Sequence, residues 1–136
     1  MLLSPRRHNF KAVFIRKSLN NKVTRAFLNG GSYGLLAYET GRVSSKQIEA
    51  ARKYLRGGLK KNAKIWVSVF PSGMVTKKPQ EVRMGRGKGY LKYWVHFAQK
   101  NEILLEAKGI RSLPIKKALV VAKLKLAIHS SLLAKY

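Results

Sequence analysis

Twenty-nine Lys and Arg stand against five acidic residues, all Glu, so this chain of 136 residues carries a formal charge of +24 at neutral pH. A compact body with that surplus repels itself, and it suits a chain neutralised by a polyanion, either nucleic acid or an anionic membrane surface. A solitary enzyme acting on a small molecule fits this balance poorly. The absence of Cys and Asp excludes disulfide scaffolds, cysteine zinc sites, thiol catalysis and Asp-based magnesium sites. Apolar residues make up 46% of the chain, a globular proportion rather than a disordered one. A folded body with basic extensions is therefore expected, and the length suffices for one core.

The positive charge is unevenly placed. Residues 1–29 hold Arg6, Arg7, Lys11, Arg16, Lys17, Lys22 and Arg25 and no acid, and the first Glu is Glu39. Phe10, Val13, Phe14 and Ile15 cluster there without a sustained period, which points to a partly extended arm that orders against a partner. The composition also suits an organellar transit peptide, but Pro5 and the pair Asn20-Asn21 interrupt any amphipathic helix, and a basic arm is the reading adopted. No apolar run approaches the roughly 20 residues of a membrane span, so no membrane insertion is expected.

Beyond Asn29-Gly30-Gly31-Ser32, a turn signal, Tyr33 to Thr40 reads as a first strand. Ser44 with Gln47 forms a capping-box pattern, and Ile48, Ala51, Leu55 and Leu59 share one helical face opposite Lys46, Lys53, Arg56 and Lys60. Glu49 is spaced to pair with Lys53. Lys64 to Phe70 and Met74 to Lys78 read as strands, as do Tyr90 to Ala98 and Ile103 to Ala107. A second helix starts near Pro114 and runs to about Leu126, with Ile115, Ala118, Leu119, Ala122 and Leu126 on one face. The expected fold is α+β, a largely antiparallel sheet with two helices in the order β-α-β-β-β-β-α. One domain is expected: an arm at 1–29, a body at 30–127 and a tail at 128–136.

Met84-Gly85-Arg86-Gly87-Lys88-Gly89 is the most informative local feature. It lies between two strands and lacks the spacing of a dinucleotide fingerprint or a P-loop. What remains is a hairpin tip whose glycines admit a phosphate close to the backbone while Arg86 and Lys88 supply charge. His8, His96 and His129 are far apart with no Asp or Cys to orient them, so neither a metal site nor any cofactor is expected. Glu102 and Glu106 fall on one face of a strand, where local ion pairing is the expected role. Among the aromatics, Tyr33, Tyr38, Trp66, Phe70, Tyr93, Trp94 and Phe97 read mostly as sheet core, and Tyr90 at the loop edge as a base-stacking candidate.

Gly31-Ser32-Tyr33-Gly34-Leu35, Gln47 to Arg52, Lys64 to Pro71, and Thr76-Lys77-Lys78-Pro79 through Val82 to Gly89 occur in one order with one spacing. Together with Pro5-Arg6-Arg7, Phe10-Lys11, Tyr93-Trp94-Val95 and Leu105-Glu106 they resemble the large-subunit ribosomal protein sixteen family of bacterial and organellar type. The resemblance implies a hammerhead-type α+β fold, no enzymatic activity, and a seat on large-subunit ribosomal RNA near the aminoacyl-tRNA path and the peptidyl transferase centre. By matching positions it implies that Arg6, Arg7 and Lys11 are arm residues buried in RNA, and that Arg83, Arg86 and Lys88 point toward tRNA.

The expected RNA-binding set is completed by Arg16, Lys17, Lys22, Arg25, Lys77 and Lys78, and the expected tRNA-proximal loop is Met84 to Gly89. The partners implied are large-subunit ribosomal RNA, tRNA and neighbouring ribosomal proteins, with no small-molecule substrate. The chain departs from the family pattern at residues 13–29 and near Ala127, where Pro is usual. That drift favours a mitochondrial ribosome, with the bacterial cytoplasm as the alternative. A free RNA chaperone or DNA-compacting protein, and a nuclease using Glu and His, are the competing readings.

Overall fold

In a computed structural model of the chain, residues 4–6, 26–85 and 87–135 are described. The elements are β1 (Tyr33–Ala37), β2 (Gly41–Ser44), α1 (Ser45–Leu59), a short 3₁₀ turn (Lys60–Asn62), β3 (Ala63–Val67), β4 (Gly73–Lys77), β5 (Tyr90–Ala98), β6 (Ile103–Gly109), α2 (Ser112–Lys123) and β7 (Ser130–Ala134). They build two antiparallel sheets, a four-stranded one in the order β3-β6-β1-β7 and a three-stranded one in the order β2-β5-β4. The α+β class and the two helices agree with expectation. The order differs in two places.

The strand expected over Tyr33 to Thr40 ends at Ala37, and the chain then crosses to the other sheet as β2. Tyr38 is held at the crossing by its N–H, which donates to the His129 carbonyl at 2.9 Å. The residues expected to form a tail include β7, which pairs with β1 from Tyr33↔Ala134 to Ala37↔Ser130. Ser-Ser-Leu-Leu-Ala carries no β-branched residue, so propensity gave no strand signal. β1 is buried, and its outer backbone groups require a partner that only a distant segment supplies.

Ser44 and Gln47 form the reciprocal cap: the Gln47 N–H donates to Ser44 Oγ at 3.3 Å and the Ser44 N–H donates to Gln47 Oε1 at 2.9 Å. Such a cap contributes about 1 kcal/mol and each interior glycine, here Gly57 and Gly58, costs about the same. Burial of Ile48, Ala51, Leu55 and Leu59 therefore decides the helix, at about 1.5–3 kcal/mol for each large side chain. Glu49 pairs with Arg52 at 2.6 Å, not with Lys53, because Arg52 at three residues offers a two-nitrogen fork. In α2, Ile115, Ala118, Leu119 and Ala122 are buried as expected, while the helix stops at Lys123 and Leu126 packs from the following turn. Both helices cover the four-stranded sheet, enclosing a core with Leu35, Leu104, Leu105 and Ala107.

Two carboxylates tie these layers together: Glu102 makes the local ion pair expected of it, with His96, whereas Glu106 is held by backbone donors instead. Glu106 is only 2% exposed, in the middle of β6. It accepts the N–H groups of Asn29 (3.3 Å), Gly30 (3.0 Å) and Gly31 (2.8 Å), with the Ser68 hydroxyl at 3.5 Å. Burial pushes its pKa up, but the backbone donors of Gly30, Gly31 and Asn29 and the Ser68 hydroxyl outweigh that and hold it below the usual value. Gly31 is required here, since a Cβ at that position would stand 2.8 Å from the Glu106 Cβ.

Glu102 precedes β6 and accepts from His96 Nε2 at 2.9 Å, while His96 Nδ1 faces the Phe70 carbonyl at 3.0 Å. Both partners are acceptors, so the ring is best satisfied when both nitrogens carry protons. His96 lies on β5 of the three-stranded sheet, whereas Phe70 follows β3 and Glu102 leads into β6 of the other sheet. The imidazolium is thus a clamp between sheets. Burial lowers the His96 pKa, but Glu102 and the Phe70 carbonyl raise it further, to a net value above 6.5.

Loss of the buried acceptor in Glu106→Ala is expected to reduce unfolding free energy by about 2–3 kcal/mol in denaturant melts, because the Gly31 N–H is orphaned; a change under about 1 kcal/mol would contradict this role. The His96 contribution is full below pH 6.5 and fades as pH rises through its raised pKa. Burial likewise raises the Glu102 pKa, but His96 and the Gln99 N–H outweigh it, so its contribution is full above 4.5 and fades as pH falls through its lowered value. Wild-type protein should lose thermal stability as pH rises above 6.5, and His96→Gln should flatten that loss.

Candidate nucleic-acid interface

β4 and β5 form a hairpin whose pairing reaches Lys77↔Tyr90, and residues 78–89 make the connection beyond it. Within it the Val82 N–H donates to the Pro79 carbonyl at 3.4 Å, and Lys78 Nζ donates to the Gly85 carbonyl, folding the loop onto itself. Gly85 has φ 104° and Gly87 has φ 80°, in the left-handed region where an L side chain costs about 1–2 kcal/mol. At the neck, a Cβ on Gly89 would stand 2.6 Å from the Lys77 carbonyl group. The glycines therefore set a path that other residues would not follow.

That path leaves Val82, Arg83, Met84, Lys88 and Tyr90 exposed. Met84 is fully exposed and Tyr90 is 84% exposed, an apolar tip with no intramolecular cover. Lys77, Lys78, Arg83 and Lys88 oppose only Glu81 among the described residues of this hairpin. The combination can hold a phosphate by charge and present a flat or flexible apolar side chain to a base. Among the described residues, no group of three or more His, Asp, Glu or Cys could hold a metal ion.

The structure thus places Lys78, Arg83, Met84, Gly85, Gly87, Lys88 and Gly89 in one loop, with Lys77 at the end of β4 where the loop begins. Arg86 lies outside the described residues. So do Arg7, Lys11, Arg16, Lys17, Lys22 and Arg25 of the arm; Arg6 is exposed beside Pro5. The point where the arm meets the body is described, and it is the Asn29 to Gly31 turn held by Glu106.

The aromatic reading needs correction. Trp94 is buried and Tyr33, Tyr93 and Phe97 are half-buried, but Tyr38, Trp66 and Phe70 are substantially exposed. Tyr38 and Phe70 lie beyond the ends of β1 and β3, and Trp66 lies on the uncovered face of the edge strand β3. Several exposed faces meet cations instead: Lys100 over Tyr38 at 5.5 Å, Lys116 over Tyr33 at 5.3 Å and Arg42 over Phe97 at 5.6 Å. Sequence reasoning also missed a cationic groove on the body, whose signal was the run Lys60-Lys61 and Lys64; of these only Lys60 was placed, on the polar face of the helix.

A family model described as ribosomal protein L16p/L10e matches residues 5–133. The chain belongs to that family. It is 41% identical over 138 residues to the large ribosomal subunit protein uL16 of Buchnera aphidicola subsp. Cinara cedri, covering 98% of each chain. It is 38% identical to the uL16 proteins of Thioalkalivibrio sulfidiphilus, over 134 residues, and Wigglesworthia glossinidia brevipalpis, over 135, again covering 98% of each. As a member of the family, the chain is a structural component of the large ribosomal subunit and not an enzyme.

Gly89→Ala should open the loop neck and accelerate amide exchange at the start of β5, since backbone atoms rather than a pliable side chain block the added Cβ. Gly85→Ala and Gly87→Ala meet open space and should cost only about 1 kcal/mol each, with exchange in β5 unchanged. Equal exchange in all three variants would show that the close approach at Gly89 does not hold the neck.

Proposed function

We propose that this chain binds large-subunit ribosomal RNA through its basic arm and body, and that the loop at residues 78–89 helps position tRNA near the aminoacyl site and the peptidyl transferase centre. The observation that carries the loop's part is its form: glycine-shaped, cationic, and tipped by exposed Met84 and Tyr90. No residue does covalent chemistry. Arg6, Arg7, Lys11, Arg16, Lys17, Lys22, Arg25, Lys77, Lys78 and Arg83 neutralise RNA phosphates, and neighbouring ribosomal proteins complete the surroundings. The sheets and the Glu106 turn hold the arm's exit from the body in place. If about eight cations meet phosphates, affinity falls by roughly 10³ to 10⁵ between 50 and 200 mM salt.

The relatives are bacterial and lend no support to a mitochondrial compartment, which the divergence of residues 13–29 and the region near Ala127 suggested. The bacterial cytoplasm is the reading that these relatives favour.

Sedimentation of tagged protein from native lysate after a high-salt wash is expected to leave it stoichiometric with large subunits. Release to the top of the gradient, or spread over all RNA, would favour a free chaperone. Arg86→Ala combined with Lys88→Ala should leave the melting temperature unchanged while weakening tRNA binding or late subunit assembly. Unchanged tRNA affinity together with unchanged subunit yield would sink the loop's assignment.

A further inference from the structure

A groove of about 690 Å³ runs along the C-terminal half of α1 and the exposed side of β3, lined by Arg52, Arg56, Lys60, Lys61, Lys64 and Trp66. β3 is an edge strand of its sheet, and no strand among the described residues covers this side. A second hollow, of about 580 Å³, shares Lys61, Lys64 and Trp66 and continues to Lys108. The cationic surface is therefore continuous around the corner where α1 turns into β3.

Charge in the groove is one-sided. Its five cations face a single carboxylate, Glu49, which is already bound to Arg52. The α1 C-terminus adds about half a negative charge, too little to offset the rest. Among the described residues, Arg56, Lys60, Lys61 and Lys64 form no ion pair within the chain.

Trp66 gives the groove a flat apolar element. Its ring lies 3.6 Å from where a Cβ on Gly30 would be, so the turn held by Glu106 supports it on one side. It is 38% exposed and borders both hollows. An indole fixed on one side, open on the other and surrounded by cations suits an unpaired base stacked between flanking phosphates.

The backbone supplies a further sign. Lys60 closes α1 with φ 49° and ψ −131°, a conformation that favours glycine. Glycines stand instead at 57 and 58, inside the helix, where a Cβ would meet nothing. Glycine is thus placed where the helix disfavours it, and lysine where the turn disfavours it. Stability alone selects the opposite arrangement, whereas a need for charge at position 60 accounts for the lysine.

From these observations we infer that the α1–β3 groove is a second RNA site, separate from the arm and the 78–89 loop, which seats an unpaired segment of large-subunit ribosomal RNA with one base on Trp66. This rests on the ribosomal reading above. Its phosphates lie against Arg56, Lys60, Lys61 and Lys64.

The test uses assembled large subunits in which a photoreactive benzoylphenylalanine replaces Trp66 or, in a separate variant, the exposed Lys61. Irradiation is expected to join both positions to ribosomal RNA. Retention on the subunit with crosslinks only to protein, or none at either position, would overturn the groove while leaving the ribosomal role intact. Failure of the unsubstituted chain to stay on the subunit would overturn both.

Purified full-length chain and an unstructured 20-nucleotide RNA provide the second arm. Substituting Lys60, Lys61 and Lys64 together by Ala is expected to lower the salt slope of binding by about two, at roughly 0.7 per phosphate contact. The same triple substitution at Lys117, Lys123 and Lys125 removes equal charge elsewhere and should lower it by less than one. Equal losses would mean that net charge alone acts, and would overturn the site. Lys60→Gly should keep the unfolding midpoint at or above that of wild type while still lowering the slope by about 0.7; a lower midpoint with an unchanged slope would show Lys60 to be structural.

Discussion

The Glu106 carboxylate sits at 2% exposure in the central part of the four-stranded sheet, and three consecutive backbone N–H groups converge on it from residues 29–31. Removing a charge from water is costly unless hydrogen bonds replace the lost hydration, and here the donors are backbone groups that themselves need acceptors. The two requirements cancel at one place. That place is where the arm becomes β1, where Gly31 presses on β6 and where Gly30 supports Trp66. The direction in which the arm leaves the body, and the orientation of one wall of the body's cationic groove, both depend on it.

The same economy of acids explains the surface. Only five carboxylates exist, and four are occupied internally: Glu106 by the turn, Glu102 by His96, Glu49 by Arg52 and Glu39 by the His129 N–H. Each supports a helix, a sheet junction or a loop rather than screening surface lysines. The cations are consequently left unneutralised over most of the exterior, a state unfavourable for a lone protein and favourable for one packed into phosphates. Internal stability and external binding draw on separate sets of charges.

Much of the architecture was legible from local pattern. The reciprocal cap of Ser44 and Gln47, the apolar face of α1, and the boundaries of β5 at Tyr90 and Ala98 all follow from short-range chemistry that the tertiary structure leaves intact. The loop at 78–89 was legible too, because glycine at positive φ and an exposed cationic tip are properties of the segment itself. The misreadings have a common cause. Ser130 to Ala134 became a strand because β1 lacked a partner, Tyr33 to Thr40 broke because the chain changes sheets, and Trp66 stayed exposed because β3 lies at an edge.

Sequence alone determined the charge, the helix faces, the glycine-rich loop and the family to which the chain belongs. These depend on composition and on residues near one another in the chain. Only the tertiary structure decided the partners of Glu102, Glu106 and His96, the second sheet, and the gathering of Arg56, Lys60, Lys61, Lys64 and Trp66 along one groove. Hydrogen bonds across 75 or more residues, such as those from Gly30 and Gly31 to Glu106, leave no periodic trace in a sequence. They exist because packing brings a buried acceptor to donors that have no other.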